Sequence, residues 1–415
     1  MNRDGAWGRR DLLKGSLAVG GLAGLQGCAP SVKSAATVPP RGVSLVPMRM
    51  SVDEIIDVKC CIRPFRPQGP RLDAEQIGDT LVIHNYGHGG SGWSLSWGSA
   101  EIVVGKAMTV LPKEIAVIGC GIIGLTAAVV AQRAGAKVTI YARDQLPRTR
   151  SFRANGSWTP DSRISLTEPA GAAFGDLWEQ MARISWKNFR TYLGLPERPV
   201  EFSDQYGLSD GPIRSEGEGR VPDATARGSF ATTGMPQQKG EFGHYSDRIR
   251  DIVPQSETVS AEENPFGVAH VRRTSMMHFN FGSYGHLLMS EFFQQGGRFE
   301  MRDFHSPADV ATLREKVVIN CPGYAGRDLW RDKTIIPVRG QTGWLVPQPE
   351  AKYGLYYAGV SVLSKSDGVM MMHTSSTLGD MEGVGNSLEL PDRVPIEEGV
   401  KIIAPIFDRL RGARA

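Results

Sequence analysis

The sequence predicts an α/β protein in which a parallel sheet is combined with a second, mixed sheet. The apolar run at residues 115–118 is followed by a glycine-rich loop, an apolar helix pattern at 122–133 and a strand pattern at 137–141. This is the β-α-β order of a parallel sheet. Strand-like runs at 342–346 and 369–374 stand far from that unit and predict the second sheet. A chain of 415 residues can hold both domains.

The remaining elements follow from the spacing of apolar residues. Period-3.6 patterns predict helices at 95–108, 174–193, 284–295 and 396–410, and the apolar run at 317–320 predicts another buried strand. Residues 203–265 are rich in glycine, serine, proline and charge and show few periodic signals. We expect strands of the second domain or a lid there.

Charge and cysteine spacing exclude two classes of partner. The net charge of +3 is too small to indicate a nucleic-acid surface. The cysteines have no metal-like spacing, and two of them are adjacent, so we expect no metal site; they are Cys28, Cys60, Cys61, Cys120 and Cys321. The sequence does not indicate an oligomeric state.

The first 35 residues predict an export signal rather than part of the fold. Arg9 and Arg10 precede a short apolar stretch at 16–27, which is typical of a twin-arginine signal. The stretch ends at Cys28 in a sequence that resembles a lipoprotein cleavage site. We therefore expect an exported protein, periplasmic or attached to the outer side of the inner membrane through a lipidated Cys28. A basic tail without a targeting role is the alternative.

A glycine loop predicts dinucleotide binding. Gly119, Gly121 and Gly124 lie between a predicted strand and a predicted helix, as in Rossmann-like sheets, where such glycines permit a tight turn and close approach to a pyrophosphate. The amides of Ile122 and Ile123 would open the helix and face the phosphates. The loop does not specify the dinucleotide.

The end of the second strand leaves two cofactors open. An acid there would bind a ribose hydroxyl. Here Arg143 takes the position expected of the acid and Asp144 follows it. Asp144 could bind the ribose hydroxyl from one place later, whereas Arg143 could meet a 2′-phosphate, which keeps NADP as an alternative. A surface ion pair between the two residues is a third interpretation.

The segment at 82–100 resembles a family signature. It contains His84-Asn85-Tyr86-Gly87-His88-Gly89-Gly90-Ser91-Gly92 and ends in Trp97-Gly98-Ser99-Ala100, and in these residues the chain is similar to the D-amino-acid oxidases. In that family the glycine loop stands near the start and this segment near the end. Here the order is reversed, so the chain resembles a circularly permuted member. The cut would fall between the helix at 399–415 and the approach to residue 59.

The resemblance implies FAD and assigns residues to its ring. It places the backbone amides of six residues along the N1–C2=O edge of the flavin, with the Ser94 hydroxyl as a further donor; they are Gly89, Gly90, Ser91, Gly92, Trp93 and Ser94. In the family the histidines of this loop shape it, so we expect His84 and His88 to be structural. The segment that begins at Arg150 and Ser151 resembles one that contacts FAD.

The resemblance also implies a substrate site. Arg63, in Ile62-Arg63-Pro64-Phe65-Arg66-Pro67, takes the position of the family's substrate arginine, and its guanidinium would fork onto a carboxylate. Tyr356 and Tyr357 stand close to the first of two family tyrosines, although ordinary strand packing would also explain them. Where the second tyrosine is expected the chain has Ser361 or nearby small residues.

Together these features predict a permuted, D-amino-acid-oxidase-like protein. Residues 53–160 and 296–334 would form the FAD domain, 161–295 and 335–395 the substrate domain, and 396–415 a helix on the FAD domain. The implied reaction is oxidation of a D-amino acid to the imino acid by hydride transfer to flavin N5, with O2 as acceptor. The alternatives are a dehydrogenase that passes electrons to a quinone or carrier, and an exported flavoprotein without turnover.

Overall fold

A computed structural model describes residues 45–211, 242–374 and 382–412. By contacts the chain divides into Met1–Arg41, which lies outside the described residues together with the predicted export signal and Cys28, and the unit Gly42–Ala415. The mixed α/β fold class is confirmed, because the described part holds two sheets and eight α-helices. No helix in these ranges is long and apolar enough to span a membrane.

The six-stranded sheet contains the β-α-β unit. Its strands, in spatial order, are β2 (Ala74–Ile77), β3 (Thr80–His84), β10 (Val317–Asn320), β4 (Glu114–Ile118), β5 (Lys137–Ala142) and β9 (Arg298–Met301). All neighbours are parallel except β2 and β3. The predicted strands at 115–118 and 317–320 are confirmed. Their continuous apolar runs arise because a parallel sheet is covered on both faces.

The eight-stranded sheet is mixed. Its spatial order is β1 (Ile55–Phe65), β11 (Ile336–Leu345), β14 (Gly368–His373), β13 (Val360–Lys365), β12 (Tyr353–Tyr357), β6 (Val200–Ser209), β8 (His270–Phe279) and β7 (Glu257–Thr258). Only β12 and β6 pair in parallel. The two strand predictions at 342–346 and 369–374 are confirmed, and the region without clear periodicity contains β6 and β7.

The helices connect and cover the sheets. They are α1 (Gly92–Met108), α2 (Ile122–Arg133), α3 (Thr167–Ala170), α4 (Phe174–Arg190), α5 (Phe281–Gln294), α6 (Pro307–Ala311), α7 (Gly326–Leu329) and α8 (Val394–Gly412). The predicted helix at 122–133 is confirmed to the residue. The helix predicted from residue 95 begins at Gly92, and the one predicted from 284 begins at Phe281.

Two elements lie elsewhere than we predicted. Strand β1, expected with the FAD domain, pairs with β11 along nearly its whole length. Helix α8 was expected on the FAD domain but packs against β13 and β14. Its apolar residues, Ile403 and Phe407 among them, share a cluster with Val362 and Met371. The apolar stripe of α8 therefore matches the eight-stranded sheet, and sequence periodicity does not say which sheet a stripe will cover.

That packing gives the eight-stranded sheet two different faces. One face is covered by α8. The other, which we call the Arg63 face, carries Arg63 opposite Val338 on β11. Trp344 lies on β11 an even number of residues after Val338 and therefore on the same face. It lies opposite Met370 on β14. Directly opposed residues of a sheet project to the same side, so the Arg63 face continues across β14 to Leu363. It lies on the side of the sheet away from α8.

Candidate functional site

The phosphate loop, residues 119–124, turns from β4 into α2. Gly119 has φ +94, and a Cβ at this position would lie 2.3 Å from the Cys321 carbonyl oxygen. A Cβ on Gly124 would lie 2.0 Å from the Gly119 oxygen. Both positions therefore require glycine. The amides of Ile123 and Gly124 have no acceptor inside the first turn of α2, and they point where an anion would bind.

Ser151 joins this loop to a second one. Its Oγ accepts a hydrogen bond from the Ile122 amide at 2.9 Å, and its carbonyl oxygen accepts one from Trp93 Nε1 at 2.9 Å. Arg150 lies beside it but binds the Glu389 carboxylate at 2.8 and 2.7 Å. The structure thus brings Ser151 to the phosphate loop, and it turns the Arg150 guanidinium towards an acid that the sequence did not indicate.

The ring loop, residues 89–94, leads from β3 into α1. The amides of Gly89 and Gly90 already donate to the carbonyl oxygens of Pro64 and Ser162, both at 2.9 Å. The Ser91 amide donates to His88. The three amides that follow, those of 92–94, have no acceptor among the described residues, because they form the first turn of α1. Of the six residues predicted to line the flavin edge, only these three have backbone amides that are free to face a ligand.

The ring loop is closed by a segment that sequence reasoning missed. A Cβ on Gly89 would lie 1.8 Å from the Arg163 carbonyl oxygen, and one on Gly90 would lie 2.6 Å from Ser162 Oγ. Gly89 and Arg163 both adopt positive φ, +55 and +51. Gly89 and Gly90 therefore allow the backbone of the ring loop to pass close to residues 162–163, where a Cβ would not fit. A positive φ at an arginine has no signal in a single sequence.

The loop histidines are structural, as expected. His84 is buried between Glu75 Oε2 and Asn320 Nδ2, each at 3.0 Å from a ring nitrogen. Burial, together with the charge of Arg71, lowers the pKa of His84 to about 4, and burial alone lowers that of His88 to about 3. Both rings are neutral at pH 7, which removes them as proton donors in that range.

These pKa shifts predict acid sensitivity. Unfolded histidines bind protons below about pH 6.5, whereas His84 and His88 in the fold do not until about pH 4 and 3. Their contribution is complete above pH 6.5 and is lost progressively as pH falls below it. At pH 5 the free energy of unfolding should have fallen by about 2 kcal/mol per histidine. Urea unfolding at pH 7.5 and 5 measures this.

The control for that experiment separates buried from exposed rings. His84→Gln should remove about one proton from the uptake on unfolding near pH 5. The matched change at the exposed His270, His270→Gln, should leave the pH dependence as in the wild type. Equal pH dependence in the wild type and His84→Gln would contradict the assignment.

Arg63 projects from β1 beside the ring loop. Its side chain packs on Gly340, where a Cβ would lie 2.3 Å from Nη1. Nη1 reaches the Arg339 carbonyl oxygen at 3.4 Å, and no described carboxylate forms an ion pair with Arg63. Pro64, the next residue, accepts the Gly89 amide. A half-buried guanidinium with most donors free, on a strand whose next residue is bonded to the ring loop, can bind a carboxylate.

The two tyrosines are not brought to Arg63. Tyr357 projects to the α8 side of the sheet and donates to Asp210 Oδ2 at 2.6 Å. Tyr356 lies on the Arg63 face but is 49% exposed. Its strand stands four strands from β1, about 19 Å at the usual strand spacing. The structure therefore brings neither tyrosine to Arg63, and their match to the first of the two family tyrosines stays a prediction.

Arg143 and Asp144 form an exposed ion pair of 3.0 Å directly after β5. Their position at the carboxyl end of a strand beside the phosphate loop is where a ribose would lie. Because each is already the other's partner, the pair does not favour a phosphate over a hydroxyl. Arg143 and Asp144 therefore do not distinguish between the candidate cofactors.

The arrangement fits a dinucleotide. It offers a glycine cradle for phosphates and the N-termini of α1 and α2 with their free amides. The two loops are joined through Ser151. The described residues contain no cluster of acids, histidines and cysteines that could hold a metal ion.

A family comparison identifies the class of cofactor. A family model described as FAD dependent oxidoreductase matches residues 114–395. Among curated proteins, the D-amino-acid oxidase of Rubrobacter xylanophilus is 44% identical over 62 residues, which cover 15% of this chain and 19% of that protein. The D-amino-acid oxidase of Streptomyces coelicolor is 27% identical over 228 residues, 55% of this chain and 58% of that protein. The chain thus spans less than two thirds of either relative.

Solved structures give more distant likenesses. An L-amino acid deaminase from Proteus vulgaris has a TM-score of 0.44 and 14% identity, and covers 72% of this chain and 76% of its own. Glycine oxidase from Geobacillus kaustophilus has a TM-score of 0.37 and 12% identity, and covers 63% and 71%. At these scores neither likeness informs on substrate.

Proposed function

This chain belongs to the family of FAD-dependent oxidoreductases, and we propose that it oxidises a D-amino acid to the imino acid, with O2 as the final acceptor. The observation that carries the proposal is the guanidinium of Arg63, which has no carboxylate partner among the described residues and lies on the strand that is bonded to the ring loop through Pro64. A free amino acid offers the carboxylate that such a fork binds.

Arg63 and the amides of 92–94 have different roles in this proposal. Arg63 holds the substrate carboxylate and thereby fixes the direction of the α-hydrogen. The amides of 92–94 and the positive end of α1 favour negative charge at the ligand edge that they face. FAD, when bound, supplies the acceptor for the two electrons and the α-hydrogen. A substrate whose amine is neutral needs no protein base, which agrees with the buried, neutral His84 and His88.

The names of the curated relatives support a D-amino acid as substrate. They include D-amino-acid oxidases and a D-aspartate oxidase of Cryptococcus neoformans, which is 50% identical over 52 residues. Ser361, half-buried on the Arg63 face, stands where the resemblance expects a tyrosine. Arg63 therefore holds the carboxylate without a phenol from that position, and we expect weak substrate binding.

The test is hydrogen peroxide formation with matched D- and L-amino acids in air. Oxidation of one amino acid by one O2 yields one imino acid and one hydrogen peroxide, and the imino acid then hydrolyses to the oxo acid and ammonia. We expect peroxide with D-isomers alone. Oxo acid without peroxide, dependent on an added quinone, would indicate the dehydrogenase alternative. A yellow protein that forms no oxo acid under either condition would indicate binding without turnover.

We propose further that the chain is circularly permuted. The segment that carries Arg63 and the ring loop precedes residue 114, where the family match begins. Arg411 Nη2 in α8 donates to the Met48 carbonyl oxygen at 2.9 Å, so a short connection would join residues 411 and 48. A variant that joins residue 411 to 48 and opens the chain at about residue 112 should fold and bind FAD. Loss of folding in that variant would argue against the proposal.

The proposal of export, with Cys28 lipidated, rests on the sequence alone. Arg9 and Arg10 with the following apolar stretch support it. In a host with twin-arginine transport, the full chain should appear beyond the inner membrane, and replacement of both arginines by lysine should retain it inside. Equal distribution of the two forms would contradict the proposal.

A further inference from the structure

The short helix Arg150–Arg153 is a junction between parts of the site. Ser151 accepts the Ile122 amide of the phosphate loop and, through its carbonyl oxygen, the indole of Trp93 in the ring loop. Arg153 Nη1 donates to the Cys60 carbonyl oxygen on β1, the strand of Arg63, at 3.2 Å. The position of this helix therefore relates both loops to the substrate strand.

The carboxylate of Glu389 binds both arginines of the junction. Both Glu389 oxygens accept from Arg150, at 2.8 and 2.7 Å, and Oε1 also accepts from Arg153 at 2.9 Å. We call these three residues the clasp. Burial raises the pKa of Glu389, but the hydrogen bonds and charge of Arg150 outweigh it, and the net pKa lies below its usual value. The clasp is thus charged throughout the physiological range.

Glu389 is presented by a segment tied to the eight-stranded sheet. Arg339 on β11 donates to the carbonyl oxygens of Leu388 and Leu390, at 3.0 and 2.7 Å. Gln341 donates to the Asp392 carbonyl oxygen at 2.9 Å. Residues on both sides of Glu389 are therefore fixed to one sheet, while its ion pairs reach the helix that supports the phosphate loop. The clasp links the two.

We propose that the clasp retains FAD, with Glu389 as a positioning residue that acts through Arg150 and Ser151. When the clasp is closed, Ser151 stays on the Ile122 amide and the junction stays against both loops. When it opens, the junction can move away and the phosphate loop loses its support. This rests on FAD binding by the family and not on which amino acid is oxidised.

The clasp has the geometry that makes an exposed ion pair effective. Single surface ion pairs contribute little, and these side chains are 38%, 37% and 25% exposed. Here a bidentate fork is combined with a second arginine, and the acid is held in place by its neighbours. Partial exposure also makes the clasp sensitive to salt, which gives the proposal a test on the unmodified protein.

The experiment measures how fast FAD leaves. Wild-type and Glu389→Gln holoproteins are diluted, and release is followed by flavin fluorescence. The matched control is Glu291→Gln, because Glu291 pairs with Arg133 at 2.7 Å with exposures of 23% and 43% at the far end of α2. We expect release about tenfold faster in Glu389→Gln and no change in Glu291→Gln.

Salt and a shorter acid extend the test. About 0.5 M sodium chloride should speed release from the wild type and hardly affect Glu389→Gln. Glu389→Asp keeps the charge and should release FAD at an intermediate rate. Unchanged release in Glu389→Gln, equal acceleration in the Glu291→Gln control, or salt-insensitive wild-type release would overturn the proposal. Because release is measured without turnover, failure of the proposed reaction would leave these outcomes readable.

Discussion

Replacing Gly119 by alanine is expected to yield a folded protein that purifies without FAD. The residue has φ +94, and its Cβ would lie 2.3 Å from the Cys321 carbonyl oxygen. An L-residue in this conformation is strained by about 1–3 kcal/mol, and the clash with backbone forces the loop to move. The free amides at the N-terminus of α2 then no longer point towards the phosphates. The FAD dissociation constant should rise by at least about 100-fold.

Gly135 provides the matched control for this change. It has φ +95, stands just beyond the other end of α2, and has open space where a Cβ would be. Gly135→Ala therefore carries the same backbone strain without the collision. We expect both variants to lose some thermal stability and only Gly119→Ala to lose the flavin absorbance. Equal flavin content in the two would contradict the role of the loop.

The second large effect is expected at Arg63. Removing one partner of a desolvated, hydrogen-bonded charge pair costs about 2–5 kcal/mol, so Arg63→Ala should raise KM for a D-amino acid by roughly 100-fold or more. Arg63→Lys keeps the charge but loses the fork and should lie between. Steady-state kinetics at saturating FAD measure both. The bound flavin should be unchanged, because Arg63 holds the substrate.

Arg66 is the control for Arg63. It stands three residues later and forms an ion pair with Asp332 at 3.1 Å, with both side chains largely buried. Arg66→Gln should therefore lower thermal stability and leave KM near the wild-type value. If Arg63→Ala and Arg66→Gln changed KM alike, the carboxylate site would have to be sought elsewhere.

Local elements were predictable because their signals are local. The helix at 122–133 and the strands at 115–118 and 317–320 appear as predicted, since apolar period and glycine placement decide them. Ser151 is bonded to the phosphate loop, and Pro64, next to Arg63, is bonded to the ring loop. Motifs of that kind can be found in one sequence because each depends on residue types at short spacing.

What failed depends on distant contacts. The face to which Tyr357 projects follows from strand register, and the sheet that α8 covers follows from which apolar stripes meet. Glu389 lies 239 residues from Arg150, so no spacing rule connects them. The ring loop shows the same limit, because its first two amides, those of Gly89 and Gly90, donate hydrogen bonds to the carbonyl oxygens of Pro64 and Ser162. Their partners are visible only in the fold.

A D-amino acid should reduce the FAD of this protein directly. The most direct measurement is the visible spectrum of the purified holoprotein during anaerobic addition of matched D- and L-amino acids. We predict loss of the flavin absorbance with D-isomers, at concentrations that rise strongly in Arg63→Ala, and no loss with L-isomers. A flavin that no D-isomer bleaches, or that L-isomers bleach equally well, would contradict the account.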